Sequence, residues 1–202
     1  MEQTVNQITL RGELVELPVY SHENHGKCFY RFYLSVPRLS GNVDTLPVIV
    51  SDHILNQIDL SGGSQLTVTG QIRSHNIRTD GIRHLMIFVF ATSIIAEDGD
   101  PLNNVVLEGP LCKDPTYRRT PLGREICDIM LAVPRAFQRA DYLPCILWGR
   151  TAQEVSACRT RDWVRICGRL QSRIYTKLTE HGSTERTAYE ISALTADILE
   201  QY

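Results

Sequence analysis

Between residues 163 and 177 the chain reads W-V-R-I-C-G-R-L-Q-S-R-I-Y-T-K, and its two alternating faces belong to different chemistries. Val164, Ile166, Gly168, Leu170 and Ile174, with Ser172 the one polar member, form the inward face of a strand with period two. The other face carries Trp163, Arg165, Cys167, Arg169, Gln171, Arg173, Tyr175 and Lys177, with no acid among them. An ordinary solvated face mixes charge signs. Cations interleaved with flat rings suit a single-stranded nucleic acid, whose phosphates attract positive charge and whose unpaired bases need a surface to stack on. A second stretch, D-Y-L-P-C-I-L-W-G-R at 141–150, puts Tyr142 and Trp148 on the same parity as Pro144 and Ile146, so one face of that strand is aromatic at both ends. The competing place for Trp148 is the core beside the apolar run.

These stretches belong to a repeat. D-T-L-P-V-I-V-S-D-H at 44–53 matches 141–150 at an offset of 97, and the same offset carries L-R-G (10–12) onto L-E-G (107–109), Tyr20 onto Tyr117 and S-V-P-R (35–38) onto A-V-P-R (132–135). With one extra residue G-Q-I-R-S-H (70–75) falls on G-R-L-Q-S-R (168–173), and R-H-L-M-I-F-V-F-A-T (83–92) is expected to fall on R-T-A-Y-E-I-S-A-L-T (186–195). Two copies imply a duplicated domain, not a solenoid. The short polar stretch E-D-G-D-P-L-N (97–103) divides the chain into domains 1–97 and 98–202.

Each copy shows five stretches of period two and one brief helical insert after the third. The strands are expected at 6–14, 28–36, 45–51, 65–77 and 82–91, then at 104–111, 126–134, 142–148, 162–176 and 186–198, with helices at 52–59 and 150–159. The fold class is therefore all-β: two tandem OB-folds, five-stranded Greek-key barrels with one short helix between strands three and four. Gly70 and Gly168, inside long strands, are expected to mark the bulge that lets a small barrel close.

Composition bounds the rest. The 202 residues suffice for two cores without metals or disulfides. The formal charge of −2 is neutral overall. Its distribution is not: of 21 basic residues 14 follow residue 98, and 18 are Arg, whose planar fork suits phosphates and bases. There is no apolar run of about 18 residues and no leader-like start, so no membrane is implied and a cytoplasmic location is expected. Six cysteines lack any C-x-x-C spacing and lie in apolar or alternating stretches, as buried free thiols do. His22 and His25 in S-H-E-N-H-G have no second ligand pair, and S-G-G-S at 61–64 lacks the G-K of a phosphate loop; both are turns. No nucleophile, base or carboxylate set is suggested, so neither an enzyme nor a cofactor or metal is expected.

The second copy resembles the bacterial single-stranded DNA-binding protein family. The resemblance rests on V-V-L-E-G-P-L, D-P-T-Y-R-R-T-P-L-G (114–123), L-A-V-P-R-A-F (131–137), Y-L-P-C-I-L-W-G-R (142–150) and G-R-L-Q-S-R-I-Y (168–175). It implies base stacking on Phe137, Tyr142, Trp148 and Tyr175. It also implies phosphate contacts from Arg135, Arg150, Arg169 and Arg173, to which the basic face adds Arg165 and Lys177. The family's R-Y before T-P is replaced by Arg118 and Arg119, with Tyr117 one place early. Since one-barrel members form tetramers, the resemblance implies a homodimer with four barrels, for which Trp163 is a candidate packing residue; in the first copy Phe29, Arg31 and Tyr33 share the face of the second strand opposite Tyr30, Phe32 and Leu34 and suit either DNA or a neighbouring subunit, with packing the expected role of Phe29 and Tyr33. The sequence stops at I-L-E-Q-Y without the acidic tip that recruits replication and repair enzymes. At the four stacking positions the first copy has Ser40, Thr45, Ser51 and Ile77, a degenerate face. The alternative is a protein-binding OB-fold subunit of a replication-restart or conjugation complex, with weak or no DNA binding.

Overall fold

The structure, a computed structural model, describes residues 5–79, 82–179 and 182–200. The first copy contains β1 (Asn6–Leu14), β2 (Val19–Asn24), β3 (Lys27–Pro37), β4 (Val43–Ser51), α1 (Asp52–Leu55), β5 (Gln65–Thr79) and β6 (Ile82–Ala96). The second contains β7 (Leu102–Pro110), β8 (Thr116–Arg119), β9 (Glu125–Arg135), β10 (Arg139–Trp148), α2 (Gly149–Ser156), β11 (Trp163–Thr179) and β12 (Gly182–Leu199). Alternation decides these elements: β1 buries Ile8, Leu10 and Leu14, and β9 buries Cys127, Ile129, Leu131 and Val133.

Each copy closes into a barrel. In the first, Leu14 pairs with Leu34 between β1 and β3, and β4 runs parallel to β6 with Val48 opposite Val89. In the second, the bridge Leu111–Leu131 and the parallel pair Cys145–Ile191 do the same. The ladders shift register between Thr69 and Gly70 and between Cys167 and Gly168. A Cβ at Gly70 would collide with the Phe90 carbonyl oxygen, and one at Gly168 with that of Ser192. Only glycine lets the neighbouring backbone come this close, so both bulges stand where the sequence placed them.

Three expectations about the elements and their alignment need correction. The short strands β2 and β8 were not anticipated; each pairs only with the following strand, and every residue in them is exposed, so no buried face gave them a period. The helices are shorter than expected, at four and eight residues. The last strand of the repeat is one residue out of the expected alignment: Val89 corresponds to Ile191, an offset of 102 where the sequence match used 103. The register follows burial. Val89 and Ala91 face the first core as Ile191 and Ala193 face the second, and a slip of one residue would turn all of them outward.

The hairpins β5–β6 and β11–β12 run on past their barrels as arms. Ile174, expected inside, is 69% exposed on such an arm because the barrel has ended beneath it. The barrels join through β1 and β7, antiparallel from Asn6–Leu107 to Arg11–Leu102, giving one sheet in which β6-β5-β1-β7-β11-β12 are consecutive. Two buried carboxylates, related by the repeat, pin the junction. Asp44 accepts from Arg38 Nε (2.7 Å) and from the backbone N–H of Ser172 (2.7 Å). Asp141 accepts from Arg73 (3.0 Å), Arg135 (3.3 Å) and the backbone N–H of Ser74 (2.7 Å). The cysteines are all free; Cys127, Cys145 and Cys158 are buried, whereas Cys28, Cys112 and Cys167 are only half-buried.

Candidate nucleic-acid interface

The aromatic set of the second barrel lies outside the core. Phe137 is 93% exposed, Tyr142 48%, Trp148 40% and Tyr175 37%. Trp148 therefore does not take the core position open to it in sequence. It ends β10 opposite Ile126, with Ile146 and Pro144 on the same face and Tyr142 opposite Ala132 toward the other end. These neighbours are small or aliphatic, so the rings stand clear of the sheet instead of being covered by it. Phe137 occupies the turn between β9 and β10 with φ 60°, followed by Gln138 at φ 55°. Two successive non-glycine residues in the left-handed region form a tight and costly turn, which holds the phenyl ring out into solvent. Tyr175 is on the arm, with the Arg173 guanidinium 6.0 Å from its ring centre, a cation–π contact.

The cations divide differently from the sequence expectation. Arg150 is 90% exposed and pairs with Glu154 one helical turn on, at 2.8 Å. Arg173 lies 3.8 Å from Glu190 and is well exposed. Such surface pairs hold a guanidinium weakly, which leaves both able to meet a phosphate. Arg165 is committed elsewhere, in an ion pair with Glu108 of β7. The absence of acids along β11 did not make its face acid-free: strands distant in sequence supply Glu108 on one side and Asp197, paired in register with Arg165, on the other. Arg135 is drawn into the junction by Asp141. Arg169 is half-buried at a cleft of about 360 Å³ between the barrels, beside Arg38, Asp100 and Asn103, and its Nε has no hydrogen-bond partner among the described residues. The side chain of Lys177 lies outside the described residues. Sequence reading missed Arg139, exposed two residues after Phe137 and without an ion pair among the described residues, and Arg186, which lines a groove between the two arms with Tyr175. The adjacency of Arg139 to Phe137 in A-F-Q-R-A was the available signal for the first; Arg186 had none, since only arm pairing brings it to Tyr175, its partner in register.

The candidate packing residues also separate. Trp163 is half-buried on the outer side of the six-strand segment, between Pro110 and Leu199. Phe29 is only 8% exposed and is covered within its own barrel, stacked with His22 at 5.0 Å and tilted against Phe90 at 5.8 Å. It is not free to meet another subunit. Tyr33 is half-buried beneath the Arg31 guanidinium, 5.9 Å from its ring centre. None of Ser40, Thr45, Ser51 and Ile77 offers a ring.

The geometry agrees with what the chain is similar to. Residues 102–199 match the model of the single-strand binding protein family. Single-stranded DNA-binding protein B of Bacillus subtilis is 39% identical over 80 residues, which cover 36% of this chain and 71% of that protein. Single-stranded DNA-binding protein 3 of Clostridium acetobutylicum is 34% identical over 106 residues, covering 49% of this chain and 72% of the relative. The chain spans about half the length of others, such as 48% of single-stranded DNA-binding protein 1 of Staphylococcus aureus, with 41% identity. The crystal structure of wild-type single-stranded DNA binding protein from Thermus aquaticus superimposes with a TM-score of 0.82 at 23% identity, over 99% of this chain and 95% of that one, so the fold is shared over both barrels. Similarity to relatives matched over most of their length, in the barrel that displays the exposed rings, establishes that the chain belongs to the single-strand binding protein family.

Proposed function

We propose that the protein binds single-stranded DNA without strong sequence preference, chiefly through the outer face of its second barrel. The observation that carries this reading is the display of four aromatic side chains on one barrel, none of them in the core. Bases stack on Trp148, Tyr142, Tyr175 and Phe137, and stacking accepts any base because every base has a flat face. Arg150, Arg173 and Arg139 follow the phosphates. Duplex DNA hides the base faces and loses this part of the affinity. Titration of tryptophan fluorescence with oligo-dT at two salt concentrations, against a duplex competitor, tests the reading: quenching, preference for the single strand and weakening with salt are expected. Equal affinity for duplex would overturn it.

The assembly that goes with this function is a homodimer. The outer side of the six consecutive strands β6-β5-β1-β7-β11-β12 is an extended sheet surface carrying Trp163, Val106 and Ile95. Two such surfaces face to face bring four barrels together.

A further inference from the structure

We propose that the cleft between the two barrels is a binding site for a small monocarboxylate bearing an apolar group, with Arg169 holding the carboxylate. The site is separate from the exposed rings and does not rest on the single-strand reading.

The repeat supplies the comparison. Gly70 and Gly168 mark equivalent bulges, so Gln71 and Arg73 of β5 correspond to Arg169 and Gln171 of β11: the arginine and the glutamine have exchanged places. In the first barrel both are satisfied, because Arg73 donates to Asp141 at 3.0 Å and to the side-chain oxygen of Gln71. Arg169 has no such outlet. The carboxylate of Asp44, the counterpart of Asp141, is already met by the fork of Arg38 and by the N–H and hydroxyl of Ser172. Asn103, beside Arg169 in the cleft, commits its amide to the backbone of Leu170, as Asn6 does to Ile72 in the first barrel. The Arg169 guanidinium therefore makes no ion pair among the described residues, and its enclosed Nε has no hydrogen-bond partner among them. An enclosed charged donor without an acceptor is costly, and an oxyanion in the cleft removes that cost.

The walls of the cleft decide the class of anion. Pro37 and Leu39 of the first barrel and Pro101 of the linker line it, and all three are exposed, so an acyl chain or small ring has apolar surface to cover. Asp100 lines it too. Its carboxylate makes no ion pair among the described residues and opposes a second negative charge on the ligand. A single carboxylate is therefore favoured over a phosphate, and it matches the planar fork of a guanidinium. Because the lining comes from the first barrel, the linker and β11, a ligand here touches both barrels at once. Its binding is linked to the stability of their junction.

The test uses the full chain with hexanoate, acetate and inorganic phosphate at matched ionic strength, read by thermal unfolding and isothermal titration calorimetry. Hexanoate is expected to raise the unfolding midpoint saturably, by about 3 °C or more at about ten times its dissociation constant. Acetate and phosphate bind at least about tenfold more weakly. Arg169→Gln, which installs the residue type found at the equivalent Gln71, keeps the parental midpoint without ligand and loses the hexanoate response. Leu39→Ala, at an exposed position whose counterpart is Ala136, weakens hexanoate about fivefold and leaves acetate unchanged. Asp100→Asn tightens hexanoate about threefold. A parent chain with no saturable response to hexanoate would overturn the proposal, as would an undiminished response in R169Q or equal responses to all three anions, the mark of a general salt effect. If R169Q does not fold, opposite shifts in L39A and D100N support the site and parental affinity in both removes it. An undiminished hexanoate response in R169Q together with a shallower salt dependence of oligo-dT binding would assign Arg169 to DNA instead.

Discussion

Asp44 accepts two hydrogen bonds from Ser172 across the barrel junction, from its backbone N–H at 2.7 Å and its hydroxyl at 3.0 Å. The repeat makes the mirror contact between Asp141 and Ser74. Each barrel thus lends a buried carboxylate to the arm of the other. A charge with no exposure is tolerated because arginine and amide donors meet its oxygens, and removing it strands those partners. Asp141→Ala is expected to destabilise the chain by about 3 kcal/mol, the lower end for a broken buried pair because Arg73 and Arg135 keep some solvent. Urea unfolding measures this; an unchanged midpoint would show that the junction contributes little.

The two barrels are expected to respond unequally to loss of the equivalent side chains on their third and fourth strands. Replacing both Trp148 and Tyr175 with Ala weakens oligo-dT binding by about 2–6 kcal/mol, from roughly 1–3 kcal/mol per stacked base. Ser51→Ala with Ile77→Ala changes it by no more than about 0.5 kcal/mol, the range for surface changes away from special features. Titrating both folded double mutants with the same oligomer at the same salt decides the matter. Comparable losses would mean that Ser51 and Ile77 contact DNA.

Arg173 and Arg165 lie on the same face of β11, but the structure separates them electrostatically. Arg173→Ala reduces the steepness of the log–log salt dependence by about 0.7, the contribution of one phosphate contact to a single strand. Arg165→Ala leaves it unchanged, since Glu108 already neutralises that guanidinium. Equal changes in slope would show that DNA displaces Glu108.

Thiol chemistry reports the barrel interior. Burial raises the Cys127 thiol to about 11 and moves Cys145 and Cys158 upward as well. At pH 8 these groups carry less thiolate than an ordinary cysteine, and more appears only as pH rises toward the shifted values. Native protein treated with iodoacetamide at pH 8 should leave Cys127, Cys145 and Cys158 unmodified by peptide mapping, with all six modified in urea. Prompt labelling of Cys145 in the native state would mean that the barrel opens readily.

Light scattering at micromolar concentration is expected to give twice the 22.9 kDa of one chain. Trp163→Arg, on the proposed packing surface, should lower the mass to a single chain while the circular dichroism spectrum is kept. A single-chain mass for the parent would remove the homodimer.

Alternation of Ile8, Leu10 and Leu14, of Phe32, Leu34 and Val36, and of Val164, Ile166 and Leu170 made the barrels legible, because each strand's own side chains decide which of its faces is buried. The four rings of the second barrel were equally legible: they follow a strand parity or occupy a turn, and the family motif repeats them. Residues without a buried face, as in β2 and β8, left no period to read. Nor did the sequence show where the alternation of β11 ceases to mean inside and outside, which is why Ile174 was misplaced. The fate of each cation depended on partners far away in the chain: Glu108 lies 57 residues from Arg165, and Asp141 draws Arg73 from the other barrel across 68. Local periodicity records whether a side chain leaves the core. Whether its charge is then free depends on which strands the tertiary structure sets beside it, and a Coulomb interaction falls with distance in space, not along the chain.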